Sequence, residues 1–249
     1  PAPDVNLEVG SGTQTHQVAS AMSGLEPVLA ERRPDVVLVE GDTNSVLAAA
    51  LAASRAGIAV GHVEAGLRSY DRRMPEELNR ILTDHLADHL FAPTEKSRAI
   101  LLGEGIPDAR ITVTGNTVVD ELLLQRERAR DPGRLERFGV TAGRFALATL
   151  HRAENTDDPA RLRGCLRGLA AVAEALGLTV LAALHPRTQA RIAATDPHLT
   201  DGLRVLPPLG YLDFLGLHAE AALVLTDSGG LQEEACCLGV PCVTLRDNT

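Results

Sequence analysis

The chain has 249 residues, of which 45% are hydrophobic and 23% charged, a composition typical of a globular protein with a core for one large or two modest domains. Its net charge of -9 gives no overall attraction for nucleic acid or an anionic membrane, so neither is predicted as a partner, although a local basic pocket can hold a small anion. No apolar run reaches the ~18 residues of a membrane span, and the first residues lack a signal-peptide pattern. A cytoplasmic protein is expected.

Short β-branched segments alternate with longer helical ones along the first half of the chain. Strands are predicted at 35–40, 58–63 and 111–113, and helices at 45–55, 75–87 and 118–130. This alternation predicts a parallel sheet with helices on both faces.

The second half repeats the same rhythm after a break at Asp131-Pro132-Gly133. Strands are predicted at 145–150, 179–184, 203–206, 222–226 and 241–245. We therefore expect an α/β protein with two doubly wound, Rossmann-like domains, 1–130 and 131–249, that face each other across a cleft.

Both ends of the sequence interrupt this pattern. The chain opens with Pro1 in a Pro-containing stretch that no predicted strand precedes, and it stops at Asn248-Thr249 directly after a predicted strand, without a closing helix. The expectation is that a first and a closing element of the two domains are missing.

The segment Asp227-Ser228-Gly229-Gly230 follows a predicted strand and opens a helix. Glycines there let a ligand approach the backbone, and the first helical N–H groups favour a phosphate. The alternative, given equal weight with a phosphate site, is that Asp227 or Ser228 simply caps the helix. Glu233 and Glu234 follow on the same helix, where one of them can accept hydrogen bonds from ribose hydroxyls.

Three acidic residues fall at strand ends or helix starts in the first half: Asp42, Glu64 and Glu76. Glu64 has small and apolar neighbours, a setting that can raise its pKa enough for proton transfer near neutrality. Asp42 can equally cap the next helix, and Glu76 with Glu77 can be the acidic first turn that helices favour.

Two histidines directly follow predicted strands, and each has an arginine within two residues: His151 with Arg152, and His185 with Arg187. Either histidine can be a simple cap, but together they favour a phosphate-facing pocket. His85 and His89 have the i,i+4 spacing of a metal pair, but they lack H-E-x-x-H and a third ligand in the nearby sequence, so no metal site is predicted.

Several signatures are absent. The sequence has no G-x-x-x-x-G-K-[ST], and Gly10-Ser11-Gly12 lacks the third glycine of the dinucleotide fingerprint, so no cofactor is predicted. The cysteines lack C-x-x-C spacing and are expected to be buried, reduced thiols; they are Cys165, Cys236, Cys237 and Cys242.

The ordered set of motifs resembles the non-hydrolysing UDP-N-acetylglucosamine 2-epimerase family along nearly the whole chain. In chain order these motifs are Gly41-Asp42-Thr43, His62 to Arg68, Pro75 to Arg80, Gly115 to Asp120, His151 to Asn155, His185-Pro186-Arg187 and Asp227 to Glu234. Two family segments are not in the sequence: an N-terminal Gly-Thr-Arg-Pro-Glu and a Glu-Arg-Pro-Glu after Thr249.

The resemblance implies a glycosyltransferase-B-type fold, a homodimer and a role in polysaccharide biosynthesis. It also implies the residues of the site. By this resemblance the catalytic residues are Asp42, Glu64, Glu76 and His151, and the substrate-binding residues are Arg68, His185, Phe214, Ser228, Gly229, Gly230 and Glu234.

The implied reaction interconverts UDP-N-acetylglucosamine and UDP-N-acetylmannosamine. The hydrogen on carbon 2 of the sugar is not next to a carbonyl, so direct deprotonation is too hard, and oxidation would need a nicotinamide cofactor. Elimination and re-addition of UDP remains, which needs a grip on the diphosphate and acid/base groups around the sugar. A retaining glycosyltransferase of the same fold, or a UDP-sugar-binding fragment without turnover, is the alternative.

Overall fold

The computed structural model describes residues 2–246. The chain divides into two compact units, Pro1–Thr117 and Val118–Thr249. The sequence placed this boundary later, near residue 130. The difference arises because the helix at Thr117–Arg128 buries Leu122 against Leu215 of the second unit.

The first unit is a parallel sheet with helical connections. Its strands run in the order β1-β2-β3-β4, each parallel to its neighbour. Its elements are α1 Gln14–Arg32, β1 Val36–Glu40, α2 Asn44–Arg55, β2 Ala59–Val63, α3 Pro75–Leu86, β3 His89–Ala92, α4 Glu95–Gly103, a 3-10 turn at Asp108–Arg110, and β4 Ile111–Val113.

The core of the first unit joins these strands to the alanine-rich helix α2. Val39, Val60 and Leu90 come from three adjacent strands, and they pack in one cluster with Val46 and Ala50 of α2. The small side chains of α2 let it lie close to the sheet, and removing this apolar surface from water stabilises the layer. The core therefore fixes the carboxyl ends of β1 and β2. Asp42 follows the first of these strands and Glu64 follows the second.

The second unit is a larger parallel sheet with the strand order β7-β6-β5-β8-β9. Its elements are α5 Thr117–Arg128, α6 Arg134–Arg137, β5 Phe145–Leu150, α7 Ala153–Thr156, α8 Pro159–Leu176, β6 Thr179–Leu184, α9 Pro186–Thr195, a 3-10 turn at Pro197–Thr200, β7 Leu203–Val205, α10 Tyr211–Glu220, β8 Leu223–Thr226, α11 Gly229–Leu238 and β9 Cys242–Thr244.

Strand β5 is buried on both faces. Ala146 and Ala148 point to a core shared with Leu166 of α8, whereas Phe145 and Leu147 point to one shared with Leu217 of α10. Helices therefore cover both faces of this sheet, as the near-continuous apolar run of β5 requires. The predicted parallel α/β class is confirmed.

Every strand and helix with predicted bounds is present within two residues of those bounds, but several elements were not predicted, among them helices α1, α4 and α8 and strand β3. Helix α1 escaped because Pro27 lies inside it and few of its residues are buried. Strand β3 is only four residues long and is defined by pairing with β2 and β4. The expectation of buried thiols is wrong for Cys236 and Cys237, which are exposed.

Candidate functional site

Strands β1 and β2 end at the same edge of the first sheet, because Glu40 pairs with Val63. The backbone N–H of Gly41 donates to the Val63 carbonyl at 3.2 Å. Gly41 adopts φ +80°, and a Cβ at this position would lie 3.6 Å from Oε2 of Glu64. The structure therefore brings the Asp42 turn and Glu64 together, as the sequence predicted.

Asp42 is held by helix α3. Its carboxylate accepts a hydrogen bond from Nη2 of Arg80 at 2.5 Å, and its backbone carbonyl accepts one from Nδ2 of Asn79 at 2.9 Å. Thr43, not Asp42, occupies the N-cap position of α2. The helix-cap alternative for Asp42 is therefore wrong, and Asn79 and Arg80 are supporting residues that only their place in the Pro75 to Arg80 motif signalled.

The adjacent acids Glu76 and Glu77 have different environments. Glu76 is half-buried in the first turn of α3, and its i,i+4 spacing places it on the same face as Arg80. Glu77 is 1% exposed and accepts hydrogen bonds from the Ser69 and Tyr70 backbone N–H groups at 2.8 and 3.0 Å. Burial would raise the pKa of Glu77, but the bonds from Ser69, Tyr70 and Arg80 outweigh it and lower the pKa. Glu77 therefore holds the loop before α3.

Glu64 has an uncommon backbone conformation, with φ +69°. A non-glycine residue in this region is strained, and such strain persists only where the surroundings fix it. The N–H of Ala65 donates to the Phe91 carbonyl at 3.2 Å, and the N–H of Gly66 donates to Oδ2 of Asp84 at 3.2 Å. Both bonds fix the turn that carries the half-buried Glu64 side chain. Its expected raised pKa stays a prediction.

Arg68 lies in the interior of the first unit, with its side chain 1% exposed. Its guanidinium donates to both carboxylate oxygens of Glu104 at 2.8 and 2.6 Å, and Nη1 lies 2.7 Å from Oδ2 of Asp84. Burial tends to lower the pKa of Arg68, but these two carboxylates raise it overall. The structure thus places Arg68 behind the acidic edge.

The second unit carries its polar site between β5 and β8, where the strand order reverses and where open α/β sheets bind ligands. His151 follows β5, and its Nδ1 lies 2.7 Å from Oδ1 of Asp227, which follows β8. Asp227 is fully buried, whereas the His151 side chain is 49% exposed. The carboxylate therefore orients an accessible imidazole, and Nε2 is left to meet a ligand.

Asp227 is the functional partner that the sequence reasoning missed, since it was considered only as a helix cap. Besides the ring of His151 it accepts from the Arg152 N–H at 3.0 Å and from Nδ2 of Asn155 at 3.1 Å. Burial would raise the pKa of Asp227, but the bonds from His151, Arg152 and Asn155 lower it. The sequence did contain a signal for this contact, because the His151 motif and the Asp227 motif both directly follow predicted strands.

A mainly apolar cavity of about 530 Å³ opens beside His151. Its walls include His185, Phe214 and Ser228 together with Pro207 and Leu209. His185 is exposed and caps α9, with Nδ1 accepting from the Arg187 N–H at 3.2 Å, and its predicted role in substrate binding stays a prediction. The cap leaves Nε2 of the same ring as a donor.

The N-terminus of α11 lies next to two arginines. Ser228 caps this helix by accepting from the Leu231 N–H, and a Cβ at Gly230 would meet no atom within 4 Å. Phosphate binding at this helix start stays a prediction. A Cβ at Gly229 would lie 3.5 Å from Nη2 of Arg246. The pKa of Arg246 is lowered by burial and by the positive charge of Arg152.

Within residues 2–246, the buried Nε atoms of Arg152 and Arg246 have no hydrogen-bond partner. Two neighbouring cations at a helix N-terminus are an arrangement that an anion stabilises. The sequence predicted Arg152 beside a phosphate but missed Arg246, because that residue lies at the end of a different strand.

Glu234 lies one and a half turns into α11, with its side chain 14% exposed. Its Oε2 is 3.5 Å from Nδ1 of the fully buried His218, and the ring of His218 packs edge-on against Phe214. Glu234 and Phe214 are therefore linked through His218, a residue that the sequence gave no reason to single out.

His85 and His89 lie in different elements. His85 is in the last turn of α3, where its Nδ1 lies 2.9 Å from the Ile81 carbonyl oxygen, whereas His89 begins β3. Among residues 2–246 no group of three or more His, Cys, Asp or Glu residues has the arrangement of a metal site, and no helix is both long and apolar enough to cross a membrane.

Comparison with known proteins gives consistent matches along the whole chain. A family model described as UDP-N-acetylglucosamine 2-epimerase matches residues 1–249. A protein of that name from Methanocaldococcus jannaschii is 48% identical, and the match covers 100% of this chain and 70% of the relative. The solved structure of a Methanocaldococcus jannaschii UDP-GlcNAc 2-epimerase with UDP-GlcNAc and UDP superposes with a TM-score of 0.87 at 47% identity, covering 100% of this chain and 70% of that one.

A further relative acts on a different sugar. The UDP-2,3-diacetamido-2,3-dideoxy-D-glucuronate 2-epimerase of Pseudomonas aeruginosa is 44% identical, and the match covers 100% of this chain and 69% of the relative.

Proposed function

Because this chain belongs to the UDP-N-acetylglucosamine 2-epimerase family, we propose that it interconverts UDP-N-acetylglucosamine and UDP-N-acetylmannosamine by eliminating UDP and adding it back. The observation that carries this proposal is the match of the entire chain to epimerases at up to 48% identity. The site residues divide between the units: the second unit holds UDP, and the first supplies acid and base.

The second unit has the groups that a nucleoside diphosphate needs. The cavity beside His151 offers the Phe214 ring and apolar walls to a base. Glu234 is proposed to accept hydrogen bonds from ribose hydroxyls. The diphosphate is proposed to bind at Gly229 and Gly230, near Arg152 and Arg246, where its charge would stabilise the leaving group.

The first unit has the carboxylates for proton transfer. One of Asp42, Glu64 and Glu76 would remove the carbon 2 proton as the bond from carbon 1 to UDP breaks, leaving an unsaturated sugar. Another would deliver a proton to the opposite face before UDP adds back. His151, with Nε2 exposed and Nδ1 held by Asp227, is proposed to act at the diphosphate end of the same substrate.

Arg68 takes a different part in this proposal from the one that the resemblance implied. Its side chain is 1% exposed, and Asp84 and Glu104 engage its guanidinium. We therefore propose that Arg68 supports the acidic edge rather than contacting the substrate. Homodimer formation, a cytoplasmic location and a role in polysaccharide biosynthesis remain proposals supported by the family resemblance.

A second substrate class is favoured by one relative. The Pseudomonas aeruginosa protein, 44% identical, is named for a diacetamido glucuronate substrate. Both substrates share UDP and an N-acetyl group at carbon 2, so the same UDP site and acids would serve either one. Assays with both UDP-sugars decide between them.

The proposal is tested by isotope exchange. The purified protein that contains this chain is incubated with UDP-N-acetylglucosamine in deuterated water, and the products are followed by proton NMR. Deuterium should enter carbon 2 as the mannosamine epimer appears, because a carboxylate exchanges its proton with solvent.

Epimer formed without label would contradict the elimination mechanism. A product that appears only with an added acceptor would indicate a glycosyltransferase. UDP binding without any turnover of either UDP-sugar would indicate a binding protein.

A further inference from the structure

Four charged or ionisable residues form a network behind the acidic edge of the first unit: His62, Asp84 and Arg68, whose side chains are buried, and Glu104, which is partly exposed. His62 and Asp84 are fully buried, and Nδ1 of His62 lies 2.7 Å from Oδ1 of Asp84. The other ring nitrogen, Nε2, lies 2.9 Å from the Gly41 carbonyl oxygen. The network therefore reaches from α4, through α3 and β2, to the turn after β1.

Both ring nitrogens of His62 face oxygen atoms that accept hydrogen bonds. A backbone carbonyl is only an acceptor, and Asp84 also accepts from the Gly66 N–H and lies 2.7 Å from Nη1 of Arg68. The ring is therefore held at both nitrogens, by the Gly41 carbonyl on one side and by the Asp84 carboxylate on the other.

The same network holds both sides of the acidic edge. Gly41, whose carbonyl accepts from His62, directly precedes Asp42, and Gly66, whose N–H donates to Asp84, lies two residues after Glu64. Gly66 packs closely against α4, because a Cβ there would lie 2.5 Å from the Ser97 carbonyl oxygen. Glu64 thus lies in the chain between His62 and Gly66, and both of these residues are held by the carboxylate of Asp84.

We propose that His62 and Asp84 are positioning residues, which hold the Gly41–Asp42 turn and the Glu64 turn in the relative arrangement that proton transfer needs. This inference rests on the proposed function for its catalytic consequence. The residues do not touch the substrate: they act through the backbone on either side of the two acids.

The test replaces His62 by glutamine, which can donate to Gly41 or to Asp84 but not to both. The control is Asp88→Asn, which weakens a carboxylate that accepts from the Val60 N–H at 2.9 Å on the same strand. With UDP-N-acetylglucosamine, kcat should fall about 10- to 100-fold in His62→Gln while KM and UDP affinity change less than about threefold. The control should match the parent. Activity is expressed per molecule that binds UDP, so partial unfolding does not imitate the effect.

A second measurement is independent of turnover. Amide hydrogen exchange at residues 41–43 and 64–66 should accelerate at least about tenfold in His62→Gln and stay unchanged in Asp88→Asn. Asp84→Asn, which keeps the shape of the side chain, is the second variant if His62→Gln fails to fold, and exchange should accelerate in the same two turns.

Unchanged exchange in those two turns, or kcat within about twofold of the parent, overturns the positioning role. If the parent itself does not epimerise, the proposed function fails, and the exchange results still decide whether the network holds the two turns.

Discussion

At the scale of single residues, two histidines at neighbouring strand ends carry their ring hydrogens differently. Nδ1 of His151 donates to the Asp227 carboxylate, whereas Nδ1 of His185 accepts from the Arg187 N–H. The hydrogens are assigned from these partners. Nδ1 of His151 therefore carries a hydrogen, whereas in His185 the hydrogen is on Nε2, so the two rings cannot replace each other.

The role of Asp227 is testable by an isosteric change. In Asp227→Asn one of the bonds from His151, Arg152 or Asn155 loses its acceptor, and the correct ring tautomer is no longer enforced. Turnover should fall about 10²- to 10⁴-fold, as in His151→Ala, and the double variant should fall little further because the pair acts as a unit. Steady-state kinetics measure all three.

An exposed pair provides the control for this comparison. His198 lies 3.1 Å from Asp201, and both side chains are exposed. Asp201→Asn should leave turnover unchanged. Additive losses in the Asp227 and His151 double variant would show that the two residues act separately.

The adjacent acids Glu76 and Glu77 give a second residue-scale prediction. Glu76→Gln, like Asp42→Asn and Glu64→Gln, should lower turnover about 10²- to 10⁴-fold with UDP affinity retained, because each removes a proposed proton-transfer group. Glu77→Gln should instead lower the free energy of unfolding by about 1–3 kcal/mol, since it weakens bonds to a buried charge.

Kinetics, UDP titration and denaturant unfolding on the same samples separate the two effects. Turnover within a few-fold of the parent in all three acid variants would make these residues structural.

At the scale of secondary-structure elements, helices α8 and α11 begin in the same way. Asp158 caps α8 by accepting from the Ala160 and Arg161 N–H groups, and Ser228 caps α11 by accepting from the Leu231 N–H. Only α11 begins at the strand-order reversal, beside Arg246. One cap is at a proposed ligand site and the other is not. Removing each in turn therefore separates the effect of a cap on stability from its effect on ligand binding.

Ser228→Ala and Asp158→Ala should each lower the free energy of unfolding by about 1 kcal/mol, because each removes a cap. Only Ser228→Ala should also weaken UDP binding, since its hydroxyl is proposed to lie against the diphosphate. Calorimetric titration with UDP measures the difference. Equal UDP affinities in the two variants would show that Ser228 is a cap and nothing more.

At the scale of the whole molecule, each unit depends on a buried carboxylate whose pKa lies below its ordinary value: Glu77 in the first and Asp227 in the second. A lowered folded-state pKa stabilises the protein fully above the unfolded-state pKa, and this stability is lost as the pH falls through the folded-state pKa.

We therefore expect the first unit to lose stability as the pH falls below about 4.5 and the second as it falls below about 3.8, the ordinary pKa values of Glu and Asp, because the unfolded chain takes up protons first. Denaturant unfolding followed by circular dichroism, from about pH 6 down to about pH 3, measures the slope of the free energy of unfolding against pH. Glu77→Gln should flatten the slope of the first unit and Asp227→Asn that of the second. An unchanged slope in both variants would contradict the prediction.

The order of strands, helices and polar motifs along the chain could be read from the sequence. Apolar runs and their periodicity are local properties, so the predicted elements matched their bounds within two residues. The place of His151 at the end of β5 and of Ser228 at the start of α11 follows from the same local pattern.

The tertiary structure alone decided which polar groups meet. Asp227 bonds His151 across 76 residues of sequence, because the sheet order sets β8 beside β5. It also showed that Glu77 rather than Glu76 is buried, that Arg68 faces inward, and that α5 packs on the second unit. These outcomes depend on contacts between segments far apart in the chain, where the register of strands and the packing of helices choose among residues that look alike in sequence.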